Sequence, residues 1–555
     1  MSDALDAALA EITALQITNW PEEVGREIVY PAGRATMVDH LRHWAATRPD
    51  SVAISFYGHD ITYAEYNEAS DRFAGWLSSV GVMPGDRVGV HLTNCPQFLI
   101  AMLGTLKLGA VHVPINPMFK AFELRHELVD ADVAVLLTSP DQRDLVDGVR
   151  ADTSVRVVAT TAVDELLSPD LGRDWADMMA AQRAPIRPAD PDALAALNYT
   201  GGTTGMPKGC EHTQRHMAYT AATATLASGQ QIGEPDSVPL NFLPVFWIAG
   251  EDFGILKSLI NGQRVVLLSR WDAAVVVDAI RDNRVTDLVA TVDNYLEILE
   301  LPDLDPAALA SLTSTLAVSF VTRLSPDIRA RWRNEVGTVL REASYGMTET
   351  HTADTFTLGF QNDDRDLRAD PVFCGLPVPG TDILVVDDRG IPVEVGDTGQ
   401  IIVRSPSIMT RYLDNPEATA STLVDGWLQT GDLGRFDEWG ALHYLARTKE
   451  MIKINGMSVF PSEVETLMRL HDGIEAVSVV PRPDAAKGQV PVAFVVIADG
   501  GPDRTALDAW ARENLATYKV PEIVIVDALP MTATGKIRKG DLLERAAATL
   551  SGGAE

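Results

Sequence analysis

The sequence predicts an α/β protein: a large N-terminal body of parallel-rich αβ subdomains plus a β subdomain, followed by a small α+β C-terminal domain. Three observations predict it. From Arg87 to Thr291, short apolar strands alternate with helical segments, the pattern of crossover units around mostly parallel sheets. Residues 372–450 instead carry short strands separated by Gly, Pro and Asp turns, which marks a β subdomain. Beyond residue 450 the alternation of strand and helix returns over a tail of about 105 residues, enough for one small domain.

Taken in order, residues 34–80 read as helical with a hairpin inside. The hairpin runs from Val52 to Tyr63 around a turn at Gly58-His59-Asp60. A helix over Ala64–Val80 has apolar spacing of three and four and stops at Gly81. Arg87–Leu92 is a strand, Cys95–Leu108 a helix and Ala110–Pro114 a strand. Phe122–Asp130 is a helix and Val133–Thr138 a strand. Gln263–Leu268, Asp272–Asn283 and Asp287–Thr291 resume the pattern. In the β subdomain the strands are Thr381–Asp387, Gln400–Arg404 and Ala441–Tyr444. In the tail, Glu463–Leu470 and Arg504–Leu515 are helices, and Ile474–Val480 and Val490–Val496 are strands. Pro185–Pro191, with three prolines, is an exposed loop.

Composition narrows the function classes. With 46% hydrophobic and 22% charged residues, the 555-residue chain is ordinary globular material rather than disordered. Asp and Glu number 77 against 46 Lys and Arg, a formal charge of −31. That argues against a nucleic-acid binder, which needs a basic surface. Cys95, Cys210 and Cys374 are far apart and form no CxxC or Cys/His cluster, so neither a disulfide framework nor a zinc site is indicated. The start, MSDALDAALAEITALQ, lacks the basic and apolar regions of a secretory signal. The apolar stretch Phe98–Ile115 contains Lys107 and His112 and reads as core rather than membrane span. A reducing, cytoplasmic setting is expected.

The most informative segment is Tyr199-Thr-Gly-Gly-Thr-Thr-Gly-Met-Pro-Lys-Gly209. Gly201, Gly202 and Gly205 permit close backbone approach. Thr200, Thr203 and Thr204 offer hydroxyls, and Lys208 a compact cation. Together these make a phosphate cradle. It is not a Walker A loop, because no glycine pair has the required spacing before Lys208.

This loop resembles the signature of the adenylate-forming superfamily, which includes the AMP-dependent acyl-CoA synthetases. Four further segments match in family order: Ser344-Tyr-Gly-Met-Thr-Glu349, Gly426-Trp-Leu-Gln-Thr-Gly-Asp432, Arg447-Thr-Lys-Glu-Met-Ile-Lys453 continuing to Glu465, and Thr534-Gly-Lys536. Leu106–Asn116 also fits. The resemblance implies an acid–CoA ligase. A carboxylate attacks the α-phosphate of ATP to give acyl-adenylate and pyrophosphate. Coenzyme A then gives the thioester and AMP. It also implies ATP, Mg²⁺ and coenzyme A as ligands, a body over 1–448 with its β subdomain at about 372–448, and a mobile lid over 449–555.

By the same resemblance, the loop threonines and Lys208 hold the β- and γ-phosphates. Tyr345 and Gly346 lie against adenine, and Thr348 contacts the α-phosphate. Glu349, with Thr204, holds Mg²⁺. Asp432 and Arg447 take the ribose, and Lys536 stabilises the adenylation transition state. Lys449 is the hinge, and Lys453 and Gly456 line a thiol channel. Each residue also has a structural alternative. Thr348-Glu349 suits a helix start, Asp432 a turn, and Lys536 a solvated surface.

The acyl site departs from the family. Trp247 replaces the usual His, and Phe320-Val321-Thr322 replaces Gly-Gly-Ala. Asp293 stands where Pro-Thr pairs are common; it also suits an N-cap, and Glu251 with Asp252 a helix start. Trp247, Gly250, Glu251, Asp293, Phe320, Val321 and Thr322 are the expected pocket residues. Their bulk and acidity predict a short to medium, polar or hydroxylated acyl group. Three other functions stay open: an enzyme loading a carrier protein, a luciferase-like oxygenase and an inactive nucleotide-binding scaffold. No carrier module follows residue 545, which favours coenzyme A as acceptor. Oligomeric state is left open between monomer and homodimer.

Overall fold

The computed structural model describes residues 2–548, apart from 163–171, 186, 201–205, 320–321, 369–371, 455–456, 485–486, 499, 516, 518 and 533–535; of Lys453 it describes the backbone only.

Two mostly parallel sheets form the body. Across the first lie Leu340–Glu342, Ser314–Val318, Asp287–Thr291, Pro239–Asn241, Val265–Leu267 and Val52–Phe56, all parallel, with His59–Thr62 antiparallel at the edge. Across the second lie Val157–Thr160, Val133–Thr138, Arg87–His91, Val111–Pro114 and Leu194–Tyr199, with Gly209–Thr213 antiparallel to the last. Helices Met37–Thr47, Tyr63–Ser79, Pro96–Leu108 and Gln214–Ala227 share one core with both sheets. Ile54 and Phe56 face it from the first, and Val88 and Val90 from the second. The alternation in each strand selects that face. Pro96–Leu108 is buried on every side, which explains its mostly apolar sequence, interrupted by the buried Gln97, Thr105 and Lys107. Among the described residues no helix is long and apolar enough to cross a membrane.

Local chemistry sets the boundaries. Thr62 and Glu65 form a capping box at the start of Tyr63–Ser79, of a kind worth about 1 kcal/mol. Gly109, at φ 77°, stops Pro96–Leu108. The hairpin turn sits earlier than expected. Phe56 pairs with His59, so the turn residues are Tyr57 and Gly58, at φ 47° and 85°. Two successive positive φ angles match the strand twist, and His59 and Asp60 already belong to the return strand.

Residues 372–447 form an antiparallel sheet: Val372–Pro377, Leu442–Arg447, Trp427–Phe436, Gly399–Arg404 and Asp382–Val386, in spatial order. The C-terminal region builds its own sheet from Ile452–Ile454, Met457–Val459, Ile474–Asp484, Gly488–Ile497 and Glu522–Ile525. Helices Pro461–Met468, Arg504–Asn514 and Lys539–Ala548 accompany it. Alternate strand residues feed two small cores, Val477 and Val495 in one, Ala476 and Val496 in the other.

Candidate active site

Four neighbouring parallel strands of the first sheet place their following loops at one edge. Pro239–Asn241 leads to Trp247, Asp287–Thr291 to Asp293, Ser314–Val318 to Thr322, and Leu340–Glu342 to Tyr345 and Glu349. The carboxyl edge of parallel strands is where α/β sheets bind ligands.

The acyl-side residues are set by local packing. Trp247 is the N-cap residue of helix Ile248–Glu251, which continues through a wider π-type turn, Asp252–Leu256, into Lys257–Asn261. Gly250 is sterically required, since a Cβ there would lie 2.0 Å from the Pro244 carbonyl oxygen. Thr291, rather than Asp293, is the N-cap of Val292–Leu299, in a capping box with Asn294. The Asp293 carboxylate instead accepts a hydrogen bond from the Thr322 hydroxyl. Phe320 and Val321 lie outside the described residues. Beside them, the Ser319 hydroxyl donates to Glu342 at 2.6 Å and ties adjacent strand ends together. Loss of solvent lifts the Glu342 carboxyl to about 7, against the Ser319 contacts.

The phosphate loop joins two antiparallel strands, which brings its ends together. Thr200 donates its amide to the Lys208 carbonyl at 3.0 Å, and the Lys208 amide donates to the Thr200 hydroxyl at 3.2 Å. Gly201, Gly202, Thr203, Thr204 and Gly205 lie outside the described residues. The Lys208 ammonium sits 4.0 Å over the Tyr412 ring. The Tyr412 hydroxyl donates to Glu349 at 2.7 Å, so one aromatic side chain joins the loop cation to the candidate metal ligand. Thr348-Glu349-Thr350 is a single 3₁₀ turn that Thr348 and Glu349 open, so the helix-start alternative holds only for this one short turn.

The residues expected to wall the nucleotide come from two sheets. Gly346 must be glycine, because a Cβ would lie 1.8 Å from the Thr352 carbonyl oxygen. The preceding Tyr345 donates its hydroxyl to Asp432 at 2.6 Å. Arg447 Nε lies 3.0 Å from the other Asp432 oxygen, across the paired strands Trp427–Phe436 and Leu442–Arg447. Asp432 is 2% exposed and lies within a strand rather than a turn. Burial raises its pKa, while Arg447 and Tyr345 pull the other way.

Lys536 reaches this edge from the C-terminal domain. Its backbone pairs with Thr532, and its ammonium lies 5.0 Å over the Trp247 ring. As a residue Lys536 is exposed. Its head group, however, loses enough solvent, with Arg447 nearby, to lower its pKa. Lys449 is exposed in the short turn Thr448–Glu450. Lys539 contacts Glu450 at 3.0 Å and Glu465 at 3.6 Å, and Arg323 donates to the Thr466 hydroxyl at 2.8 Å. The Lys453 side chain and Gly456 lie outside what is described.

Glu251 lies in the first turn of its helix and Asp252 opens the π-type turn, as the helix-start alternative expects, and both are fully buried. Burial lifts Glu251 to about 7, opposed by a hydrogen bond from Asn198. Asn198, His212, His351 and Tyr412 are site neighbours that carry no motif and were not singled out in the sequence. As for a metal, no group of three or more His, Cys, Asp or Glu residues converges among the described residues. One carboxylate, Glu349, beside a phosphate loop suits Mg²⁺, which keeps waters and shares substrate phosphates.

The family model of the AMP-binding enzymes matches residues 41–413, and that of the AMP-binding enzyme C-terminal domain matches 463–536. A feruloyl-CoA synthase of Amycolatopsis sp. is 33% identical over 512 residues, covering 91% of this chain and 99% of the relative. A long-chain-fatty-acid–CoA ligase of Bacillus subtilis is 31% identical over 559 residues, covering 95% and 97%. The crystal structure of ATP-bound MatB from Rhodopseudomonas palustris superposes with a TM-score of 0.82 at 28% identity, covering 92% and 98%. The chain belongs to the AMP-binding enzyme family.

Proposed function

From that membership we propose that the chain is an AMP-forming acid–CoA ligase. It converts a carboxylic acid and ATP to acyl-adenylate and pyrophosphate, then passes the acyl group to the thiol of coenzyme A and releases AMP. The observation that carries this reading is the convergence at one sheet edge of the phosphate-loop ends, the Thr348-Glu349 turn, the Tyr345–Asp432–Arg447 cluster and Lys536 from a separate domain.

Adenylation gathers negative charge at the α-phosphate and its bridging oxygen. Pre-placed cations and donors are what such a step requires. Lys208 and the loop, residues 200–205, hold the β- and γ-phosphates. Thr348 binds the α-phosphate, and Asp432 and Arg447 orient the ribose. Lys536 neutralises charge between carboxylate and phosphate. Glu349 and Thr204 would hold Mg²⁺, which would supply Lewis-acid neutralisation of phosphate charge.

The domain boundary falls at Lys449, and the C-terminal domain acts as a mobile lid that removes Lys536 to admit the thiol. Lys453 and Gly456 then line its path. The acyl group is short to medium and polar, a reading supported by the bulk of Trp247 and the acceptor at Asp293. The setting is cytoplasmic and reducing, as the unpaired buried Cys95, Cys210 and Cys374 suit.

Acid-dependent exchange of labelled pyrophosphate into ATP, run over a panel of acids, tests the first half-reaction. Added coenzyme A should then yield AMP and a thioester. No exchange with any acid would overturn the reading, and exchange without thioester formation would favour a carrier-loading enzyme.

A further inference from the structure

A buried polar chain joins three walls of the site through side chains that the chemistry above does not use. Asn198 stands two residues before Thr200. Its amide donates to Glu251 Oε2 at 3.0 Å. Glu251 Oε1 faces His351 Nε2 at 3.9 Å, and neither atom has a hydrogen-bond partner among the described residues. The His351 ring meets His212 edge to face, with centroids 4.7 Å apart, and its Nδ1 lies 3.0 Å from the Thr220 hydroxyl. His212 Nε2 lies 2.8 Å from the Thr348 carbonyl oxygen. A carbonyl can only accept, so that nitrogen carries the proton.

The far end of the chain holds a strained piece of backbone. His351 and Thr352, directly after Thr348-Glu349-Thr350, take φ 58° and 87°. A β-branched residue there is disfavoured and persists only when its surroundings over-determine it. The near end is also irregular, since the helix carrying Glu251 widens into a π-type turn at Asp252. Glu251, His212 and His351 are each no more than 0% exposed. An apolar set of similar volume would avoid the desolvation cost of three such groups.

We infer that Glu251, His351 and His212 are positioning residues, clamping the Thr348-Glu349 turn, through the strained His351-Thr352 step that follows it, onto the acyl-side helix behind Trp247. The clamp makes placement of the α-phosphate contacts depend on the same helix that borders the acyl group. It also ties both to the strand that feeds the phosphate loop. This inference rests on the adenylation reading above, and it acts through Thr348 and Glu349 rather than on substrate.

The test compares full-length Glu251→Ala, Glu251→Gln and His351→Ala with wild type. A control, Leu41→Ala, makes a cavity in the core remote in sequence from every motif. Three quantities are read: pyrophosphate exchange, thioester formation from supplied acyl-adenylate, and the melting-temperature rise on adding Mg-ATP. Wild-type exchange tests the functional reading by itself, and the Mg-ATP shift needs no knowledge of the acid. Glu251→Ala and His351→Ala should lose about tenfold or more in exchange, the scale of a small misplacement of reacting groups, and much of the Mg-ATP shift. Thioester formation should change less than about threefold. Glu251→Gln, which can still accept from Asn198 and present a polar group to His351, should regain most of the exchange. Leu41→Ala should lower the melting temperature without splitting the half-reactions. Equal loss in both half-reactions, no loss in either, or a Gln variant as impaired as Ala would each overturn the inference.

Discussion

Replacing Trp247 by leucine isolates one contact between the two domains. The Lys536 ammonium lies 5.0 Å over the Trp247 ring, within cation–π range. Such a contact contributes about 0.5–1 kcal/mol when exposed and about 2 when desolvated. Lys536 is exposed as a residue, but burial and the nearby Arg447 lower the pKa of its ammonium. A value near 1 kcal/mol is therefore appropriate, which corresponds to about fivefold in rate. Leucine keeps apolar bulk and removes the π face; phenylalanine keeps a weaker face. At saturating acid and ATP, Trp247→Leu should slow adenylation about fivefold and Trp247→Phe about twofold. Thioester formation from supplied acyl-adenylate should be nearly unchanged in both, because the proposed assignment gives Lys536 a role only in the first half-reaction. Pyrophosphate exchange and thioester assays on the same preparations make the comparison. If leucine and phenylalanine behave alike, or if both half-reactions fall together, the ring is only a wall and the reasoning fails.

Lys536→Ala should abolish adenylate formation while largely sparing thioester formation from supplied adenylate, and equal loss of both would sink the two-step lid assignment. Glu251 has its pKa raised by burial from 4.5 to about 7, so the folded state holds the extra proton and stability falls as pH rises through that window. Above it the cost is about 3 kcal/mol. Glu251→Gln should therefore match wild type in melting temperature near pH 4.5 and exceed it by a few degrees at pH 8; a pH-independent difference would contradict this assignment. A substrate panel should favour C2–C8 and hydroxy acids, and clear preference for C14–C18 fatty acids would refute the restricted pocket. With a formal charge of −31, ATP and coenzyme A are repelled by the bulk field. Raising salt to physiological strength should therefore not weaken Mg-ATP binding strongly, since screening removes repulsion as well as attraction. A steep loss, followed by calorimetry, would reveal a basic cleft.

Much of this architecture was legible before any coordinates. Strand Val133–Thr138 and strand Asp287–Thr291 have the predicted bounds, because both are short apolar runs ended by turn or capping residues. The Tyr57-Gly58 turn was misplaced, because Gly58-His59-Asp60 is a good turn sequence by composition, while the register that rejects it belongs to the strand pair. Asp293 looked like an N-cap, because acids favour helix starts; Thr291 takes that role two residues earlier and leaves the carboxylate to Thr322. Tyr412 had no local signal at all. It matters only because its ring lies under Lys208 while its hydroxyl reaches Glu349.

What the sequence by itself determined was the chemistry within each segment. A glycine- and threonine-rich loop with a lysine, an acid after a threonine, and a lysine in a turn all declare their capacities through residue type and spacing, which are local. What only the tertiary structure decided was which segments meet. The order of strands in the first sheet sets Trp247, Asp293, Thr322 and Tyr345 along one edge. The pairing of Trp427–Phe436 with Leu442–Arg447 joins Asp432 to Arg447. The burial of Glu251, His212 and His351 turns three ordinary polar residues into one connected chain. Burial, strand order and domain docking depend on contacts between residues distant in the chain, and such contacts leave no periodicity in the sequence to read.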